Sequence, residues 1–108
     1  MNENEAILAA TQPQNIISAQ DCNEILSYLG EHINSLVADE WEKRLVASQT
    51  KVKLLSDKTK TNALTKAEFE ISEDYKTWQE AVNLLRKYRA YRSDLRDRFL
   101  VLSNLKRY

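Results

Sequence analysis

His32 is the only histidine in this 108-residue chain, and Cys22 is the only cysteine. Any nucleophilic triad or Cys–His pair would have to be built around these two side chains. Ten residues apart on one helix, they stand about 15 Å from each other, too far to share a proton. The count also excludes an intramolecular disulfide and a zinc site made of several Cys and His. Carboxylates offer the next candidates, but Glu40 and Glu42, and likewise Glu73 and Asp74, sit at spacings that point away from each other on a helix. Glu-x-x-His pairs, which a dimetal site between facing helices requires, do not occur. One glycine in the whole chain rules out a Gly-rich phosphate loop. The sequence therefore predicts a protein without catalysis, metal or cofactor.

One stretch has the composition of a binding surface. Between Arg86 and Arg107 eight Lys/Arg stand against only Asp94 and Asp97, with Tyr88 and Tyr91 among them. Arg89, Arg96 and Arg107 fall on one side of a helix, and Arg92 is slightly offset. Cations in a row beside aromatic rings suit a phosphate backbone with a stacked base, or a smaller phosphorylated ligand. Against nucleic acid stand the lack of a recognised motif and a net charge of zero, which supplies no long-range attraction to a polyanion. Residues 1–45 hold eight Asp/Glu against Lys43 and Arg44. Folded antiparallel, Asp21, Glu24 and Glu31 would come within reach of Arg89, Arg92, Arg96 and Arg98, so the basic stretch is expected to be paired internally or between subunits. Asp39–Lys43 and Glu40–Arg44 add pairs four residues apart in the favourable order.

The elements that carry these residues are helices. With one glycine and one proline, the positive-φ turns of a loop-rich or β-rich fold have nothing to form them. Residues 1–17 read as an arm, loose or docked through Ile7 and Leu8. Ser18 is a helix cap, Asp21 favours the positive helix end, and Ile17 and Cys22 take the positions of a hydrophobic staple. Apolar residues then recur at Leu26, Leu29, Ile33, Val37, Trp41, Leu45, Val52 and Leu55, which predicts a first helix over about residues 19–56. A polar link, residues 56–63, follows. Thr65 and Glu68 read as a capping box flanked by Leu64 and Phe69, which starts a second helix over about 66–107. Its stripe runs Ile71, Tyr75, Trp78, Val82, Leu85 and resumes at Leu95, Phe99 and Leu102 after a stammer.

The predicted fold is all-α: an antiparallel two-helix hairpin in which residue numbers adding to about 120 lie side by side. A third helix, from a break near Gly30 or at Ser72, is the rival. In the hairpin register Trp41 lies near Trp78, and Gly30 faces Tyr88 and Tyr91, which would give a costly mid-helix glycine a packing role. Two helices alone leave aromatic surface wet, so the core is expected to be completed by oligomerisation through Tyr75, Trp78, Phe99 and Trp41.

No window approaches the roughly 20 apolar residues of a membrane span, and the acidic start "MNENEAILAATQ" is unlike a signal peptide. The expectation is a cytoplasmic protein with no membrane partner. In size and texture the chain resembles small accessory proteins of phages and mobile elements. The reading it supports is a non-catalytic helical interaction protein, an adaptor, assembly factor or inhibitor, that self-associates and binds a protein partner. The alternative is nucleic-acid or nucleotide binding through Arg89, Arg92, Arg96 and Arg107 with Tyr88 and Tyr91.

Overall fold

The computed structural model describes residues 1–105, and these are helical with no strand among them. The elements are α1 (Glu3–Ala10), a 3₁₀ turn (Pro13–Asn15), α2 (Ala19–Leu55), α3 (Asn62–Ile71) and α4 (Glu73–Leu105). Among the described residues no φ is positive. Every turn is built without the left-handed backbone that glycine supplies, as a chain with one glycine requires. The described residues form two compact units, residues 1–35 with 86–105, and Leu36–Leu85.

In the first unit, α1 opens on Asn2, whose Oδ1 accepts from the Glu5 amide at 2.8 Å. It buries Ala6 and Ala10, whereas Leu8 is exposed. The arm segment thus packs through its small residues, because a methyl group lets one helix backbone approach another more closely than Leu does. After the 3₁₀ turn, Ile16 is buried and Ile17 is 83% exposed, so Ile17 does not make the expected staple. Ser18 caps α2 as predicted, its Oγ accepting from the Asp21 amide at 3.3 Å. Cys22, Ile25, Leu29 and Ile33 then form one buried face, with Leu95 and Leu102 of α4 also buried. Two contacts fix the direction of α4 in this unit: Cys22 Sγ donates to the Leu95 carbonyl at 3.2 Å, and His32 packs edge-on to Tyr88 at 4.7 Å. The helices are antiparallel and close to the predicted register.

The second unit starts at Leu36. Here Trp78 Nε1 donates to Glu40 at 3.1 Å, and Thr50 Oγ1 donates to Asp74. These pairs give α2 and α4 the antiparallel sense in this unit too. The link between α2 and α3 closes on itself: the Thr59 amide and hydroxyl both donate to Asp57 Oδ1, at 3.0 and 2.6 Å. Those two bonds hold the Asp57 carboxyl below the usual carboxylate range.

Four expectations are overturned. The second helix begins at Asn62, capped by Thr61, whose Oγ1 accepts from the Leu64 amide at 3.2 Å. Thr65, the expected cap, is buried inside α3, and Glu68 pairs with Lys60 at 2.8 Å instead of closing a capping box. The two threonines offer the same cap chemistry, and the earlier one takes it. The single second helix is interrupted at Ser72, which has extended ψ of 149°. Its Oγ donates to the Phe69 carbonyl and accepts from the Tyr75 amide, ending α3 and starting α4 with one hydroxyl. The rival break at Ser72 is therefore the one realised, and α2 runs unbroken through Gly30. At Gly30 an added Cβ would meet nothing within 4 Å, so the glycine has no packing role against Tyr88 and Tyr91. Finally, no ion pair among the described residues joins Asp21, Glu24 or Glu31 to Arg89, Arg92, Arg96 or Arg98; Glu24 meets the N-terminal amine at 4.0 Å instead.

Candidate interaction surfaces

As far as residue 105 the basic stretch lies on α4 in the first unit. Arg89 and Arg96 are exposed and Arg92 is half-buried, while Arg107 lies outside the described residues. Arg98, which was expected to pair with an acid, donates through Nε and Nη2 to the Ile16 carbonyl at 2.9 and 2.8 Å. A guanidinium forked onto one carbonyl satisfies the backbone just before α2, which makes Arg98 a structural residue. Tyr88 and Tyr91 are half-buried and meet edge-to-face at 5.6 Å. Since Tyr88 is also packed on His32, Tyr91 presents the freer ring, with Lys87 Nζ 5.9 Å from its centroid.

The expected oligomer residues separate. Tyr75 and Trp78 are half-buried in a chain of edge-on contacts, Phe69–Tyr75 at 5.0 Å and Tyr75–Trp78 at 6.0 Å. Phe99 is half-buried in the first unit. Trp41 does not stack on Trp78. It is 64% exposed, with the Arg44 guanidinium 4.6 Å above its ring.

Trp41 belongs to a surface that the sequence pattern concealed. In the second unit α2 turns Leu36, Glu40, Lys43, Ala47, Thr50 and Leu54 inward or part-inward. Its bulky residues face solvent: Trp41 is 64% exposed, Leu45 60%, Val52 65% and Leu55 52%. The reason is geometric. From Leu29 to Leu45 the apolar positions advance by four residues at a time, and each step of four turns about 40° further round the helix. By Leu45 the stripe stands about 160° from Leu29. From Trp41 onward the spacing becomes four, three, four, three, through Ser48, and the stripe holds its new side. This drift was the available signal, since a stripe that stays buried alternates threes and fours, as Ile33, Leu36, Glu40, Lys43 and Ala47 do.

A cleft of about 250 Å³ opens nearby, lined by Lys51, Leu55, Thr65, Lys66, Phe69 and Tyr75 among others. It is smaller than the roughly 300–1,000 Å³ of a drug-sized ligand site. Its floor is aromatic, and Lys51 Nζ stands 5.7 Å from the Phe69 ring. Such a cleft suits one inserted side chain better than a whole small molecule.

The residues with chemical potential are spread apart. Cys22 is fully buried, and its thiol is pushed up by burial, partly offset by the charge of Arg98. His32 Nδ1 lies 3.5 Å from Glu3 Oε1 at the half-exposed edge of the same unit. Asp39–Lys43 and Glu40–Arg44 form the predicted four-apart pairs, at 2.8 and 3.9 Å. Among the described residues no three His, Cys, Asp or Glu converge as a metal site would need, and no helix is long and apolar enough to cross a membrane. No protein-family model matches the chain, and no curated protein or solved structure matches it either.

Proposed function

We propose that the protein is a non-catalytic interaction module whose working surface is the outward face of α2, and that it acts as an adaptor, assembly factor or inhibitor by burying that face against protein. The observation that carries this reading is the exposed row Trp41, Leu45, Val52 and Leu55. Bulky apolar side chains scattered singly on a surface need no explanation, but a contiguous row of them marks a docking surface. Trp at one end is the residue type most often dominant in protein interfaces. The half-buried Tyr75 and Trp78 support the fold of the second unit rather than the interface.

A photo-crosslinking residue at position 45, expressed in the cell of origin, tests the reading against the same residue at exposed Glu80. Adducts of defined mass at 45 and none at 80 are expected. Equal adducts at both positions, or none at 45, would remove the interface.

A second reading, phosphate recognition at Arg89 and Arg96, is favoured by one observation: neither guanidinium has an acidic partner among the described residues, so the internal pairing expected of them does not occupy them. Fluorescence anisotropy with a short labelled oligonucleotide separates the two. Salt-dependent binding lost in an Arg89→Glu, Arg96→Glu variant with unchanged helix content would support nucleic acid over protein as the ligand.

A further inference from the structure

Resting on the proposed docking role of this face, we infer that its occupant is a second copy of this chain, paired in parallel and in register along Ala38–Leu55. Ala38, Trp41, Leu45, Ser48, Val52 and Leu55 are all exposed and follow one another at three, four, three, four and three residues. That is the spacing of a heptad seam, and the surface that complements a heptad seam is another one. This chain carries one on the same unit. Within the seam Val52 and Leu55 fall at the two core positions where a β-branched residue and a leucine favour two parallel strands.

The flanking charges choose the direction. On one side of the seam stand Arg44 and Lys51, and on the other Glu42, Gln49 and Ser56. Parallel pairing sets Arg44 against the partner's Gln49, Lys51 against the partner's Ser56, and Val37 against the partner's Glu42. No like charges meet. Antiparallel pairing over the same residues sets Arg44 against the partner's Lys51 twice, and like-charge contacts at such positions select against an arrangement. The parallel register also places Ser48 beside its own copy, so the one polar core position finds a hydrogen-bonding partner that antiparallel pairing with Leu45 would deny it. A net charge of zero leaves little overall repulsion between copies.

The seam extends about 27 Å, short for a coiled coil, so association in the micromolar range is expected. Sedimentation equilibrium of the whole chain across micromolar to millimolar concentrations reads it directly. The mass should rise from that of one 12.6 kDa chain toward two. Leu45→Glu should raise the dissociation constant by about 100-fold or more with unchanged helix content, since it places a charge in the middle of the buried row. Direction is read in a Cys22→Ala background. Oxidised Val52→Cys should link into a covalent dimer, because residue 52 meets its own copy only in the parallel arrangement. A mixture of Trp41→Cys and Val52→Cys chains that cross-links in preference to Val52→Cys alone would establish the antiparallel arrangement and overturn the proposal. A chain that stays monomeric at millimolar concentration, with crosslinks at position 45 to other proteins in the cell, would overturn self-pairing while leaving the docking role standing. Monomer with no specific crosslink would remove both.

Discussion

The two units use the same two helices in opposite ways. In the first, α2 buries Ile25, Leu29 and Ile33 with Leu95 of α4 among the fully enclosed side chains. In the second, α2 turns Leu36, Ala47, Thr50, Leu54 and charged residues inward or part-inward and presents Trp41, Leu45, Val52 and Leu55 to solvent. The first unit is held mainly by aliphatic burial, which contributes about 1.5–3 kcal/mol for each fully enclosed large side chain. The second buries Ala47, Phe69, Ala81 and Leu85 and adds half-buried Tyr75 and Trp78, the Glu40–Trp78 and Thr50–Asp74 hydrogen bonds, and the Lys60–Glu68 pair. Individual hydrogen bonds contribute about 1 kcal/mol net. A helix face rich in apolar residues can be used for folding or for binding; α2 encloses that face in the first unit and leaves it exposed in the second.

The largest test of that division compares two leucines on one helix. Leu29→Ala should destabilise the fold by about 3–5 kcal/mol in denaturant unfolding, through lost burial and a residual cavity. Leu45→Ala, measured at concentrations too low for association, should change stability by no more than about 0.5 kcal/mol. Equal costs would mean that both residues are core and the comparison fails.

A second test enlarges the small inward residue. Ala47 is fully buried, and Ala47→Leu should cost about 1–3 kcal/mol by overpacking. A gain in stability would show that the second unit has room for a conventional core after all.

Gly30 provides a smaller effect of opposite sign. With open space around its Cβ position, Gly30→Ala should stabilise the first unit by about 0.5–1 kcal/mol through reduced backbone entropy in the unfolded chain. A loss measured by thermal unfolding would restore the packing role that the sequence assigned to it.

The smallest effect is a pH dependence confined to the first unit. Burial raises the Cys22 thiol above its ordinary range, against a smaller opposing influence of Arg98. The folded chain therefore keeps that proton to a higher pH than the unfolded chain does. The thiol's contribution is complete below the ordinary value of about 8.5 and is lost as pH rises through the raised folded value. Unfolding curves of wild type and Cys22→Ala should keep a constant separation below about pH 8 and converge in more alkaline solution. Parallel curves throughout would mean that the thiol ionises alike in both states.

Much of the architecture was legible. The Ser18 start and the end of α2 near residue 55 follow from a cap, an apolar period and its fading into "SDKTKTNA". The antiparallel register also followed, as His32–Tyr88 and Glu40–Trp78 meet close to the predicted alignment. The proposed docking face was only partly legible. Trp41 was singled out, but with Tyr75, Trp78 and Phe99, which the fold keeps half-buried. The sequence pattern places Leu45, Val52 and Leu55 on one stripe with Leu29 and Ile33, because a count of apolar residues at helical spacing does not register slow rotation around the axis.

By itself, the sequence determined that the chain is helical, that two long helices turn back on each other across a polar link, and that Ser18 begins the first. These are properties of one segment at a time: glycine and proline scarcity, capping chemistry, periodicity. Tertiary structure alone decided which of two threonines caps α3, whether Ser72 breaks the second helix, where the basic stretch finds partners, and which side of α2 faces inward beyond Leu36. A helix carries the same local signals whichever face is covered. Burial depends on what stands opposite, and from Leu36 onward that is a neighbour able to accept Ala47 and Thr50 but not Trp41 or Leu45.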